Sequence, residues 1–183
     1  MYGMIHRGMR QMVIETAGEE AWRALERELG IGPAELISAN VYDDELTVGL
    51  LVAVAERLGQ SLPECMGAFG RYWVRFAERG SYGAIMDFVG NDFAGFIENL
   101  DRMHQAVVVA MPRAQVPSFA LVKDDGDGLV VRYRSVRSGL EPFVIGLLEG
   151  LAARYGHAAR VEQVPGPEGA ADFRVVLEPA AAA

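Results

Sequence analysis

The chain has 183 residues, 51% of them hydrophobic and 23% charged, and its 17 basic and 25 acidic side chains give a formal net charge of -8. Such a length and apolar fraction predict one domain over 1–183 with one hydrophobic core, and exclude a disordered or collagen-like chain. The acidic balance argues against a surface for nucleic acid or anionic membranes, because phosphate binding needs a basic field. Cys65 is the only cysteine, so an internal disulfide and a multi-thiolate metal site are excluded, which suits a reducing compartment.

The sequence carries no signal for export or membrane insertion. Its first 18 residues have charged or polar side chains at intervals and no continuous apolar core before a cleavage site. The longest uncharged apolar stretch, 46–55, is too short to cross a bilayer, because about 20 residues are needed. We therefore expect a soluble, cytoplasmic protein. Lys123 is the only lysine among the 17 basic residues, a bias that suggests a GC-rich bacterial genome.

The N-terminal part of the chain, up to about residue 111, has apolar residues at steps of three and four, which predicts a series of helices. Helix breaks are expected where glycine and proline interrupt this spacing. These breaks fall at Gly18, 30–33, 59–63, Gly80 and 90–92. Asp43 or Asp44 suits the N-cap of a helix over 46–58, because a short carboxylate there accepts from a free backbone N–H.

After Pro112 the spacing changes to short β-rich runs. The predicted elements are strands over 118–123 and 129–136, a helix over about 140–155, and strands over 159–164 and 173–177. Asp/Gly and Pro/Gly turns at 124–128 and 165–169 join the two strand pairs. The pattern predicts an α+β fold, in which the helical N-terminal portion packs on a small antiparallel sheet and one long helix is inserted between the strand pairs. The last residues, 179–183, are expected to form a frayed tail.

His104 is the most informative single residue. It lies inside the apolar stripe of the predicted helix over 92–111, where its own face offers no side-chain partner for a buried imidazole. One interpretation is a core histidine bonded to a backbone carbonyl or a distant side chain. The other is a metal ligand. A three-histidine zinc site would need His6 and His157 to converge with it, whereas haem iron is commonly held by one histidine.

A second group of polar residues is Tyr133, Ser135 and Arg137. They follow one another at every second position on the second strand of the predicted hairpin, so alternation places the three side chains on one face over about 13 Å, at about 3.3 Å per residue. Such a row suits carboxylates, because the guanidinium binds them bidentately and each hydroxyl adds a donor. The alternative is an ordinary solvated strand face. Together with an axial histidine, however, a clamp for two carboxylates would meet the needs of haem, which has one iron and two propionates.

Several short motifs accompany these residues. The Tyr-x-Ser-x-Arg triplet follows the helical histidine by some thirty residues, with Pro117 between them. The other motifs are Met1-Tyr2-Gly3, Tyr42-Asp43-Asp44, Phe69-Gly70, Tyr72-Trp73, Asn99-Leu100, Pro117-Ser118-Phe119, Gly139-Leu140 and Gly146-Leu147-Leu148. In this combination the chain resembles the H-NOX (haem nitric oxide/oxygen binding) family, which includes the sensor part of soluble guanylate cyclases and stand-alone bacterial gas sensors. The resemblance extends over nearly the whole chain.

The resemblance implies a role for each of these residues. His104 would be the proximal ligand of haem b, and Tyr133, Ser135 and Arg137 would bind its propionates. Pro117 would press on the porphyrin and distort it. The remaining assignments are Asp44 as the carboxylate that orients Arg137, and Ile5, Trp73, Phe143 and Leu147 as the lining of the distal pocket. The alternative role of Pro117 is that of a turn proline, and the alternative role of Asp44 is that of a helix N-cap. The four residues assigned to the pocket could instead be ordinary core residues.

The residue at position 143 bears on gas selectivity. Oxygen-binding members of the family have a distal tyrosine where this chain has Phe143, and phenylalanine offers no hydrogen-bond donor to bound dioxygen. Tyr2 and Trp73 could reach inward and act as donors. The family, however, often has tryptophan at the position of Trp73 without binding oxygen. The resemblance therefore implies a nitric oxide sensor that also binds carbon monoxide and discriminates against oxygen.

No output module follows the clamp motif in the printed sequence. We therefore expect the protein not to be an enzyme itself but to signal in trans, to a histidine kinase or a cyclic-di-GMP enzyme, through weakening or loss of the His104–iron bond. Two alternatives stay open. A haem enzyme of the peroxidase or nitrite-reducing type would need a distal acid or base, for which only His6 is a candidate. The other alternative is an interaction module without a cofactor.

Overall fold

The computed structural model describes residues 1–80, 82–124 and 128–179. Helices within these ranges are Gly3–Ala17 (α1), Glu19–Leu29 (α2), Asp44–Leu58 (α3), Leu62–Arg79 (α4), Gly83–Val89 (α5), Phe93–Ala110 (α6) and Glu141–Arg154 (α7), with a 3-10 turn at Pro33–Leu36. The strands are Ser118–Asp124 (β1), Leu129–Arg134 (β2), His157–Val164 (β3) and Ala171–Pro179 (β4). Over the described part of the chain, no helix combines the length and apolar character needed to span a membrane.

The predicted α+β fold is confirmed. One antiparallel sheet has the strand order β1-β2-β4-β3, and α7 lies in the sequence between the two strand pairs. The predicted helix breaks coincide with helix ends. At Gly30 and Gly59 the backbone is left-handed, with φ of 62° and 65°, so glycine terminates α2 and α3 without the strain a Cβ atom would cause.

The expected strand over 129–136 is too long by two residues. Arg134 pairs with Ser118, the first residue of β1, and Tyr133 pairs with Ala171, the first residue of β4. Beyond Arg134 neither neighbour offers a partner, so the ladder and the strand stop there. In the turn predicted at 124–128, residues 125–127 lie outside the described residues, as do 180–183 of the predicted tail.

The chain forms two compact units, Met1–Phe69 and Gly70–Ala183. The boundary falls within α4 and not at the change of apolar spacing near residue 111. In the first unit α1 packs on α2 and α3, around a core of Met9, Met12, Val13, Trp22, Leu25, Leu50 and Val54. Asp43 occupies the N-cap of α3 as predicted, but its side chain makes no capping hydrogen bond. Asp44 lies in the first turn and accepts a hydrogen bond from the backbone nitrogen of Met1 at 2.8 Å.

In the second unit the core lies on one face of the sheet. Burial alternates along β2, so that Val131 and Tyr133 point to the core and Arg132 points away. The helices α6 and α7 cover this face, with α6 against β1 and α7 against β3 and β4. Their buried core residues are Phe93, Phe96, Ile97 and Leu100 on α6, and Val144, Leu148, Leu151 and Ala152 on α7.

The helices α4 and α7 cross at backbone contact. A Cβ atom added to Gly70 would lie 2.2 Å from the carbonyl oxygen of Phe143 and 2.7 Å from the nitrogen of Leu147. A Cβ atom on Gly150 would lie 3.0 Å from the Cα atom of Arg71. Only glycine permits this approach at residue 70, because any side chain would overlap the opposite backbone.

Candidate functional site

The imidazole of His104 is fixed by a backbone carbonyl. His104 is half-buried on α6, and its Nδ1 lies 2.8 Å from the oxygen of Pro117, just before β1. A carbonyl oxygen only accepts, so Nδ1 carries the proton and Nε2 keeps its lone pair. Among the described residues Nε2 has no hydrogen-bond partner. The expected backbone partner is thus present, and it leaves one ring nitrogen available as a ligand.

Burial also favours the neutral form of this ring. It lowers the pKa of His104, although the Pro117 carbonyl and the negative charge of Asp101 act in the opposite direction. A neutral imidazole with one fixed N–H is the form in which histidine binds metals. No cluster of three or more His, Cys, Asp or Glu side chains suited to a metal ion occurs in residues 1–80, 82–124 and 128–179.

Asp101, one helical turn before His104, joins α6 to the start of β1. Its two carboxylate oxygens accept from the Ser118 hydroxyl at 2.6 Å and from the backbone nitrogen of Phe119 at 2.8 Å. With the bond from His104 to Pro117, which immediately precedes β1, three hydrogen bonds connect α6 to residues 117–119. We call these three bonds the α6–β1 clasp. Sequence reasoning missed Asp101, whose only signal is its position three residues before the histidine.

Aromatic rings connect the histidine to β2. The ring centroids of His104 and Phe119 are 6.2 Å apart, and those of Phe119 and Tyr133 are 5.2 Å apart. Phe119 and Tyr133 face each other in the β1–β2 register. The structure therefore brings the helical histidine and the Tyr-x-Ser-x-Arg motif to the same part of the second unit.

Tyr133, Ser135 and Arg137 form a hydrogen-bonded series. The Tyr133 side chain is hydrogen-bonded to Ser135, and burial raises the pKa of Tyr133, which keeps its hydroxyl protonated. The Ser135 hydroxyl accepts from the backbone nitrogen of Arg137 at 3.1 Å. Because β2 ends at Arg134, the turn after the strand gathers these residues, and the expected strand alternation does not.

The guanidinium of Arg137 is held by a residue that sequence reasoning missed. Its Nη1 donates to the backbone oxygen of Gln115 and its Nη2 to the side-chain Oε1 of Gln115, both at 3.1 Å. Gln115 lies two residues before Pro117 in the connection between α6 and β1. No sequence pattern points to Gln115, because the contact joins two loops 22 residues apart.

Three of the four expected pocket residues lie on α4 and α7. Trp73 follows Gly70 by one turn of α4, and Phe143 and Leu147 are the α7 residues whose backbone meets Gly70. All three are only partly buried, whereas their neighbours on both helices, Tyr72, Val74, Val144 and Leu148, are buried. Ile5 belongs to the first unit, on α1, and is also partly buried.

The fold and these residues define a known class. The family model described as Haem-NO-binding matches residues 2–163, and the chain belongs to this family, also called H-NOX. It is a haem-binding gas-sensor domain of that type, as the sequence predicted.

Sequence relatives include soluble guanylate cyclases. The chain is 28% identical over 155 residues to soluble guanylate cyclase 89Db of Drosophila melanogaster, which covers 85% of this chain and 23% of that protein. It is 31% identical over 161 residues to soluble guanylate cyclase gcy-35 of Caenorhabditis elegans. This match covers 84% of this chain and 23% of that protein. The chain thus spans less than a quarter of the length of these relatives.

Solved structures show the same fold at lower identity. An H-NOX protein from S. oneidensis in the Fe(II) state matches with a TM-score of 0.85 at 20% identity, covering 98% of this chain and 97% of that chain. An oxygen-binding H-NOX domain related to soluble guanylate cyclases matches with a TM-score of 0.79 at 19% identity, covering 98% and 96%. This chain therefore has the same fold as an H-NOX protein in the Fe(II) state and as an oxygen-binding H-NOX domain.

Proposed function

We propose that this chain is a cytoplasmic, haem-based sensor of nitric oxide that discriminates against oxygen and signals to a separate output protein. The observation that carries the proposal is the fixed tautomer of His104. Its Nδ1 proton is bound to Pro117 O at 2.8 Å, and its Nε2 lone pair is left for a metal.

The donor set fits haem b. His104 would supply the iron ligand, and the hydroxyls of Tyr133 and Ser135 with the Arg137 guanidinium would bind the two propionates. Pro117, whose carbonyl fixes the imidazole, would contact the porphyrin. Haem, when bound, would supply an iron centre for diatomic gases, and the signal would arise through weakening or loss of the His104–iron bond.

Selectivity would follow from the apolar side chains on α7. Phe143 has no hydrogen-bond donor, and Leu147, one turn further, is aliphatic. Dioxygen on haem iron is stabilised by a hydrogen-bond donor in the distal pocket. A helix face without such a donor therefore disfavours oxygen binding. Trp73 on α4 would also line the pocket, in which carbon monoxide would also bind.

The α6–β1 clasp would transmit the signal. Asp101 and His104 together tie one face of α6 to Pro117, Ser118 and Phe119. A displacement of the imidazole therefore acts on the connection between α6 and β1. A helix held by a few hydrogen bonds can serve as a two-state element whose balance a ligand shifts. The output protein would be a histidine kinase or a cyclic-di-GMP enzyme.

Absorption spectroscopy of the purified protein tests the proposal. We expect a Soret band, no stable oxygen complex when the ferrous protein is exposed to air, and tight binding of nitric oxide. Protein expressed with haem precursor and lacking a Soret band would overturn the haem assignment. A long-lived oxygen complex would overturn the selectivity. Rapid turnover of peroxide or nitrite would favour a haem enzyme instead.

A further inference from the structure

The two edges of the four-stranded sheet differ in regularity. β1 forms one edge, and its register with β2 shifts between Leu121 and Lys123. Such an irregularity bends an edge and discourages pairing with a further strand. β3 forms the other edge and pairs with β4 over eight consecutive residues without a shift. Because β4 is its only neighbour in the described sheet, β3 has one row of backbone groups that faces away from the sheet.

The exposed side chains of β3 carry opposite charges at alternate positions. Arg160 and Glu162 are exposed on one face, and Val161 between them is partly buried against the core on the other. Arg160 contacts Glu178 of β4 only loosely, at 3.9 Å, and both side chains are more than half exposed. Charges of one sign protect a sheet edge from a second copy of itself, whereas opposite charges at this spacing can attract one.

We propose that β3 is an interface at which a second copy of this chain adds its own β3, so that the two sheets become continuous. The two strands are antiparallel, and the two-fold axis passes through Val161. Arg160 of each copy then lies opposite Glu162 of the other copy, and the symmetry produces this ion pair twice. On the inner face, Val161 meets its own equivalent.

Charge selects this register over its neighbours. An axis through Arg160 would place that guanidinium opposite its own equivalent, and an axis through Glu162 would do the same for the carboxylate. Like charges directly opposite each other destabilise a strand pair. Of the registers with a β3 residue on the axis, only the one centred on Val161 pairs both charges with their opposites. The edge is therefore self-complementary, as a two-fold contact requires.

Sedimentation equilibrium of the full chain over a range of concentrations tests the interface. At about 0.15 M salt the Debye length is about 8 Å, which screens the general repulsion between two chains of net charge -8. We expect a monomer–dimer equilibrium. Arg160→Glu and Glu162→Arg each make both pairs repulsive, and each should weaken dimerisation about tenfold. Arg134→Glu, the same change of charge at the exposed end of β2, is the matched control and should dimerise like the wild type.

A mixture of the two weakened variants tests the register. In a mixed pair, both carboxylates of the Arg160→Glu chain lie opposite both guanidiniums of the Glu162→Arg chain. We therefore expect the mixture to form heterodimers more tightly than either variant dimerises alone. The double variant Arg160→Glu/Glu162→Arg restores both pairs with their signs exchanged and should dimerise like the wild type. Circular dichroism of every variant should match that of the wild type.

Three results would overturn the inference. The first is a wild type that stays monomeric at the highest concentration. The second is a dimer that neither single reversal weakens, because another surface would then hold it together. The third is a mixture of the two reversals that associates no more tightly than each alone, because the pairing centred on Val161 requires the heterodimer. The interface does not depend on haem, so none of these results bears on the proposed function.

Discussion

The hydrogen bond between His104 and Pro117 decides which ring nitrogen can act as a ligand. A histidine without it could present either nitrogen, and the ring could rotate about its χ2 angle. With Nδ1 held at 2.8 Å from the carbonyl, only Nε2 is available. At the scale of single residues, the proposed haem ligation therefore depends on the Nε2 atom of His104. Three substitutions test this ligand, the propionate clamp and the distal pocket.

Replacing His104 by Gly should give a folded protein that loses haem unless imidazole is added. The substitution removes the proposed iron ligand and leaves a space that free imidazole can enter. Soret absorbance with and without imidazole measures the effect. His157→Ala, at the start of β3, is the control and should retain haem. Full retention of haem with an unchanged ferrous spectrum in His104→Gly would show that another residue is the ligand.

Arg137→Ala should accelerate haem dissociation more than Ser135→Ala does. A hydrogen bond from a guanidinium to a carboxylate is charge-assisted and roughly twice as strong as a neutral one. Haem-transfer rates measure both variants. Arg134→Ala is the control, because Arg134 is the adjacent exposed arginine at the end of β2. Equal rates in the wild type and Arg137→Ala would mean that Arg137 does not contact the propionates.

Phe143→Tyr should slow oxygen dissociation from the ferrous protein. The substitution adds one hydroxyl at nearly constant volume, and a hydrogen bond to a charged ligand is worth about 1.5–3 kcal/mol, or roughly tenfold to a hundredfold in rate. Flash photolysis or stopped-flow spectroscopy measures the rate. Phe88→Tyr adds the same hydroxyl at a side chain that is 92% exposed, and should change nothing. Oxygen that dissociates slowly from the wild type would refute the argument.

At the scale of elements, the sequence predicted which segments form helices and which form strands. It did not predict the contacts between these elements that position the site residues. The apolar stripe showed that His104 needs a partner off its own face. It could not identify the Pro117 carbonyl, because the contact depends on how α6 meets β1. The expected alternation of side chains along a strand placed Tyr133 and Arg137 on one face, but the strand stops at Arg134. That endpoint is set by where β1 and β4 begin, which is a property of the sheet.

Two glycines inside helices, one at the contact between α4 and α7 and one on α3, should respond to alanine in opposite ways. Gly70→Ala places a Cβ atom 2.2 Å from the backbone of α7, so the helices must separate, and we expect a loss of more than about 2 kcal/mol. Gly49→Ala, in the interior of α3 with nothing within 4 Å, should stabilise by about 0.5–1 kcal/mol. Urea unfolding of both variants gives the free energies. Equal stability of Gly70→Ala and the wild type would contradict the close crossing.

At the scale of the whole molecule, stability in acid depends on paired carboxylates. The Arg132 guanidinium holds the pKa of Asp172 below its usual value of 3.8, although burial acts in the opposite direction. A depressed pKa means that the folded state binds the proton more weakly than the unfolded state. The pair therefore contributes stability above the usual pKa, and this contribution is lost as the pH falls through the folded-state pKa.

Asp172→Asn should accordingly be less stable than the wild type at pH 7, by roughly 2 kcal/mol, the value of a charge-assisted pair. The difference should shrink as the pH falls below 3.8. Unfolding by urea at several pH values measures it. Asp43→Asn is the control, because Asp43 is exposed and makes no capping bond. A difference that stays constant into acid would show that the ion pair is not its source.

The strand order has a consequence for how the protein is made. β2 lies between β1 and β4, and its pairing with β4 joins residues about 40 positions apart, such as Arg132 and Asp172. During translation the contacts of α1 with α2 and α3 can form early, because these three helices are synthesised before the strands. The end of β2, which Ser135 and Arg137 follow in the chain, gains its second neighbour only after β4 has been synthesised. The cofactor would therefore be captured only after β4 has been synthesised.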